Sequence, residues 1–158
     1  MKVLGKKSSV NKMKIQREDV KVAIKGMLEF LDKRKVKSLE ALRKSDGEQY
    51  APWGDEDFIR ISIVRERDAP KLVNMMYFMP SHADGLETAP FALRVAFGLE
   101  QRCVRVITCC EGGFDQKKGG IGYCSWGTAQ EYESPVEYRS EEDAIKIARA
   151  RLDELYRQ

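Results

Sequence analysis

The chain has 158 residues, 42% of them hydrophobic and 34% charged, which excludes global disorder and fits one soluble globular domain. Its apolar runs are short, such as residues 75–79, and none approaches the ~20 residues of a membrane span. The net charge of +3 conceals a split: the first 44 residues hold 14 Lys and Arg against 5 Asp and Glu, and the other 114 hold 14 against 20. A segment of about +9 followed by a remainder of about −6 is the electrostatic footprint of an anionic partner, of which nucleic acid is the commonest.

Residues 1–16 are basic and carry no sustained apolar period, so they read as a flexible arm ahead of a single domain over residues 17–158. The opening Met1-Lys2-Val3-Leu4-Gly5-Lys6-Lys7 has the charges of a signal peptide without the apolar stretch behind them. The expected setting is cytoplasmic or nuclear, with no secretion signal and no membrane partner. A helix is expected from about Glu18, where Glu18 and Asp19 meet the positive end of the helix dipole. Val20, Ile24, Met27, Leu28 and Leu31 recur at helical spacing and form its apolar stripe, interrupted by Gly26. Through Lys33-Arg34-Lys35-Val36-Lys37 the pattern allows two outcomes. Either the helix continues, or it breaks and restarts with Ser38 as N-cap, turning Leu39 and Leu42 inward. Ser45-Asp46-Gly47 ends the helical region, and residues 50–57 read as a loop of aromatics, Pro52, Gly54 and three acids.

From Phe58 the period becomes two, with Phe58, Ile61 and Ile63 interleaved with Arg60 and Ser62, as a half-buried strand requires. Asp68-Ala69-Pro70 reads as a turn. Residues 72–79 form a second strand, apolar on both faces and therefore central or covered. A loop over residues 80–90 leads to a third strand over residues 91–97, and a turn at residues 98–101 leads to a fourth over residues 103–110. A glycine-rich connection at residues 111–120 is expected to close a hairpin onto a fifth strand, residues 121–132, in which Gly122 and Gly127 weaken the ladder. The last helix is the clearest element. Ser140 is its N-cap, Glu141, Glu142 and Asp143 load its first turn, and Ala144, Ile147, Ala148, Leu152 and Leu155 form its buried stripe. The expected fold is α+β: an N-terminal helix or helical pair, an antiparallel meander of about five strands, and a C-terminal helix packed on the sheet.

Four cysteines, Cys103, Cys109, Cys110 and Cys124, fall within 22 residues, but neither a C-x-x-C knuckle nor a histidine accompanies them. They read as buried structural thiols, and no metal or other cofactor is expected. The glycine-rich stretch fails the phosphate-loop spacing, since no G-x-x-x-x-G-K-[ST] occurs and no helix follows. His82 is the single histidine and reads as a loop residue. The acids Asp55, Glu56 and Asp57 define a third-ranked reading, a metal-dependent nuclease. The first reading is a non-enzymatic binding protein that contacts nucleic acid or a nucleoprotein complex. Its contacts are Lys12, Lys14, Arg17, Lys21, Lys25, Lys33, Arg34, Lys35 and Lys37, whose charges track phosphates without reading bases. The alternative is a protein-interaction module, an inhibitor or accessory subunit, using an acidic strand-and-loop surface with Phe114, Lys117, Lys118 and Trp126 at its contact.

Overall fold

A computed structural model describes residues 16–54, 56–80, 91–108 and 135–158. Helix α1 (Arg17–Lys33) begins one residue before the expected start, with the backbone N–H of Gln16 donating to the Asp19 carboxylate at 2.8 Å. That bond satisfies a donor just outside the helix and places an anion in the first turn. The helix then breaks rather than continuing through Lys37. A short helix, α2 (Leu39–Arg43), restarts behind Ser38, whose Oγ accepts from the backbone N–H of Ala41 at 3.2 Å.

Six strands follow in chain order: β1 (Gln49–Tyr50), β2 (Phe58–Glu66), β3 (Ala69–Phe78), β4 (Phe91–Gly98), β5 (Cys103–Thr108) and β6 (Val136–Glu137). They pair as one antiparallel sheet in the order β1-β2-β3-β4-β5-β6. The meander expected from the alternating pattern is therefore present, with a helix before it and a helix after it. Helix α3 (Glu141–Arg157) starts as its sequence predicts. Ser140 Oγ accepts from the Asp143 N–H at 3.1 Å, and the Asp143 carboxylate accepts from the Arg139 N–H at 2.8 Å.

Some boundaries differ from the reading of the sequence, each for a local reason. The β2–β3 turn is Arg67-Asp68, one residue earlier than expected, with Arg67 at φ 57. Ala69 and Pro70 already belong to β3, and Pro70 sits opposite Arg65 beside a register shift, where a missing N–H disturbs the ladder least. Tyr50, expected in a loop, pairs with Ile59 as part of β1. The arm up to residue 15, the loop at 81–90, the glycine-rich connection and the expected fifth strand at 121–132 lie outside the described residues. The strand described next to β5 is β6, beyond Pro135.

The alternation of each strand assigns its side chains to two faces. One face gathers Ile59, Ile61, Val73, Met75, Tyr77, Leu93, Val95, Phe97, Val104 and Val106, all closed to solvent. The helices lie on this face, contributing Val20, Ala23, Ile24, Met27, Phe30 and Leu31 from α1, Leu39 and Leu42 from α2, and Ala144, Ile145, Ala148 and Leu152 from α3. β3 is central and buried from Val73 to Tyr77, as its apolar residues on both faces imply, with Asn74 the one polar residue in that buried stretch. Gly26 explains itself here. A Cβ at that position would lie 2.9 Å from the Trp53 ring and 3.0 Å from the Tyr77 ring, so the helix approaches the 52–53 turn and β3 too closely for any side chain. No described helix covers the opposite face, which carries Arg60, Ser62, Asn74, Met76, Arg94, Ala96, Arg105 and Ile107.

Tyr77 is fully buried, and its hydroxyl has no hydrogen-bond partner among the described residues. Burial pushes its ionisation far above the ordinary tyrosine range, and Asp57 and Asp19 push it further. The unfolded chain ionises this phenol near pH 10 while the folded chain keeps it neutral. Its contribution to stability is therefore complete below about pH 10 and is lost as pH rises beyond it. Tyr77→Phe is expected to be neutral or slightly stabilising at pH 7, because it removes an unsatisfied buried hydroxyl. Denaturant unfolding between about pH 9 and 11 should then show a shallower alkaline loss in the variant than in the parent chain.

Candidate functional site

The last residue of α1 and the connection to α2 carry four of the predicted contacts, Lys33, Arg34, Lys35 and Lys37, and their geometry is set by how α1 ends. The N–H of Val36 donates to the Leu31 carbonyl at 2.9 Å, and that of Lys35 donates to the Asp32 carbonyl at 3.2 Å. These two bonds make a Schellman motif, in which the residue after the C-cap adopts the left-handed conformation. That residue is Lys35, at φ 52. Val36 follows and is 3% exposed, tucked under the helix it has just left. Glycine is the usual occupant of such a position because a side chain there costs roughly 1 kcal/mol or more. The chain carries a lysine instead.

Arg34, the C-cap, is occupied by the fold. Its guanidinium lies 5.8 Å from the ring centres of both Phe30 and Tyr50 and forms an ion pair with Glu48. Phe30 and Tyr50 are themselves in tilted contact at 5.5 Å, and the Tyr50 hydroxyl donates to Glu29 at 2.8 Å. Arg34 thus fastens the end of α1 to the approach to β1. Lys33 is held by Glu29 at 2.9 Å, one turn back. The hydrogen bond from Lys33 holds the Glu29 carboxyl below its ordinary range, with the Tyr50 hydroxyl adding to this, and the same contact raises Lys33. This pair is open to solvent and is worth little on its own.

The other predicted contacts fall into three groups. Lys35 and Lys37 are exposed and make no ion pair among the described residues. Arg17, Lys21 and Lys25 stand on α1, where Lys21 Nζ lies 6.0 Å from the Tyr156 ring centre. Their side of the helix also carries Glu18, Glu29 and Asp32, so it is mixed in sign rather than a basic row. Asp32 is further engaged by Arg149 of α3. Lys12 and Lys14 lie outside the described residues, as do Phe114, Lys117, Lys118 and Trp126 of the alternative reading.

Of the acids considered for metal chemistry, Asp55 lies outside the described residues and Asp57 is half-buried near Tyr77. No group of three or more His, Cys, Asp or Glu close enough to hold a metal occurs among the described residues. Cys103 is half-buried rather than part of the core. His82 and the other three cysteines lie outside the described residues.

The reading of the sequence left one set of basic residues out of the candidate list. Arg60, Arg94 and Arg105 sit at polar positions of three different strands, and the meander register brings all three to the sheet face opposite the helices. The signal existed in the alternation of each strand, but it becomes a shared face only once the pairing is known.

No family model, curated protein or solved structure matches the chain, so the functional reading rests on these residues.

The position of Arg34 predicts a structural role rather than contact with a ligand. Arg34→Ala should destabilise the domain by about 1–2 kcal/mol, through lost stacking as well as lost charge. Arg34→Lys should restore less than half of this, because a compact ammonium cannot contact both rings and Glu48 at once as the broader guanidinium does. Equilibrium denaturation of the three proteins decides between that order and a simple charge effect, in which Lys would restore all of it.

Proposed function

We propose that the chain is a non-enzymatic binding protein that contacts nucleic acid, or a nucleoprotein complex, through its basic N-terminal arm and the turn that ends α1. The observation that carries this reading is Lys35: a charged side chain held in a left-handed turn, exposed and without an acidic partner among the described residues. Lys37, two residues on in the same short connection, is exposed as well. Residues 1–15 add five lysines and no acid. Backbone strain of this kind is retained where the surrounding structure over-determines it, and it often accompanies a contact surface.

The arm and the turn suit phosphates rather than bases. Lysines offer mobile point charges, and planar bidentate recognition is the property of arginine. The mixed outer side of α1 plays a smaller part, since Glu18, Glu29 and Asp32 repel the same phosphates that Lys21 and Lys25 attract. The expected binding is therefore indifferent to sequence and sensitive to salt.

Binding to unrelated duplex and single-stranded oligonucleotides, followed by fluorescence anisotropy between about 25 and 200 mM salt, tests this directly. The expected result is a steep linear fall of log K with log salt. Lys35→Ala together with Lys37→Ala should lower the slope by about 2, and Lys12→Ala with Lys14→Ala by a similar amount. No salt-dependent binding to either polymer at low ionic strength would overturn the reading in favour of a protein-interaction module.

A further inference from the structure

The cleft between α2 and the start of α3 holds two opposite charges that do not meet. It has a volume of about 470 Å³, opens widely to solvent, and is lined by Glu40, Arg43 and Lys44 from α2 and its C-cap, Ile63 from β2 and Glu141 from the first turn of α3. Each wall is fixed separately. α3 begins at the Ser140 cap, and the Arg139 carbonyl just before it accepts from Arg102 at 2.8 Å. The chain leaving α2 is tied to β2 by Asp46, which accepts from the Ile63 N–H at 3.0 Å.

The charges on the lining sort themselves. Glu40 and Lys44 face each other one helical turn apart at 3.9 Å, both largely exposed, and their charges cancel at the rim. Arg43 and Glu141 are left, and neither side chain forms an ion pair among the described residues. One oxygen of the Glu141 carboxylate is buried with no hydrogen-bond partner, so the fold does not compensate this charge. Both groups act on one buried ring. Burial and then Glu141 push the Tyr138 phenol above its ordinary range, and Arg102 and Arg43 oppose them. A simple anion entering the cleft would meet Glu141 and a simple cation would meet Arg43, each with like-charge repulsion. A ligand carrying both signs meets neither penalty.

We propose that this cleft binds a small zwitterion, an α-amino acid with an aliphatic side chain, its carboxylate toward Arg43 and its ammonium toward Glu141. The planar guanidinium matches a carboxylate with paired donors, and an ammonium beside Glu141 offsets the cost of its orphaned oxygen. Ile63 supplies the apolar wall for the side chain, and the volume falls in the range of small-ligand clefts. None of the residues assigned to nucleic-acid contact lines this cleft, so the two readings stand independently.

The test is a titration of the full-length protein by ¹⁵N–¹H correlation spectroscopy, following the backbone amides of Arg43 and Glu141. The probes are L-leucine, N-acetyl-L-leucine and L-leucine amide, added separately. The expected result is a saturating shift of both amides with leucine, and binding about tenfold weaker when either end is blocked. Arg43→Gln should weaken leucine about tenfold and leave the affinity for leucine amide unchanged, because that probe has no carboxylate to lose. Glu141→Gln should weaken leucine similarly and leave the affinity for N-acetyl-leucine unchanged. Neither substitution touches the core: Arg43 is exposed, and Glu142 and Asp143 still load the first turn of α3. No saturating shift with leucine to about 50 mM, equal binding of the three probes, or variants that weaken all three alike would overturn the proposal.

Discussion

The left-handed turn at Lys35 is the constraint on which the helical layer depends. If α1 continued straight, Val36 would not be drawn beneath it and Leu39 and Leu42 would leave the core. The Schellman bonds stop the helix within one residue, and Ser38 caps the next one almost at once. That reversal brings Arg34 over Phe30 and Tyr50 and within reach of Glu48, so the chain enters β1 already fastened to α1. The 45–48 segment then locks to β2 through Gly47, whose N–H donates to the Ile61 carbonyl at 2.8 Å, and through Asp46, which accepts from the Ile63 N–H at 3.0 Å.

Much of this fold is legible in the residues because several local signals agree. The Ser140 cap with Asp143 three residues on, the period-two pattern from Phe58 and the apolar character of β3 on both faces all correspond to the elements observed. The strands β1 and β6 were not legible, since two residues cannot show a period, and each exists only because a longer neighbour offers a free edge. The break after Lys33 was open for a physical reason. Its usual marker is glycine, and here a lysine takes the glycine position. Nor does any sequence pattern reveal that Arg34 is consumed by two aromatic rings and a glutamate from another part of the chain.

Charge is distributed more unevenly than the N-terminal excess implies. On α1 the lysines share their side of the helix with acids, and Lys33 and Arg34 serve pairs within the fold. Among the described residues Lys35 and Lys37 are exposed and make no ion pair, and residues 1–15 add five lysines and no acid to the same end of the sequence. A separate arginine set faces the other way from the sheet. Both surfaces arise from the same rule: an antiparallel sheet with helices on one face leaves the other face, and the turns between helices, as the places where charge can be displayed.

The central claim is that Lys35 holds a strained position because its charge has a use, and one substitution separates the two terms. Lys35→Gly relieves the left-handed strain while removing the charge. Chemical denaturation and salt-dependent oligonucleotide binding, measured on the same preparation, should show a gain of about 1 kcal/mol in stability and a fall of about 1 in the salt slope. A more stable protein whose binding and slope are unchanged would contradict the account, leaving Lys35 as an exposed residue with no part in recognition.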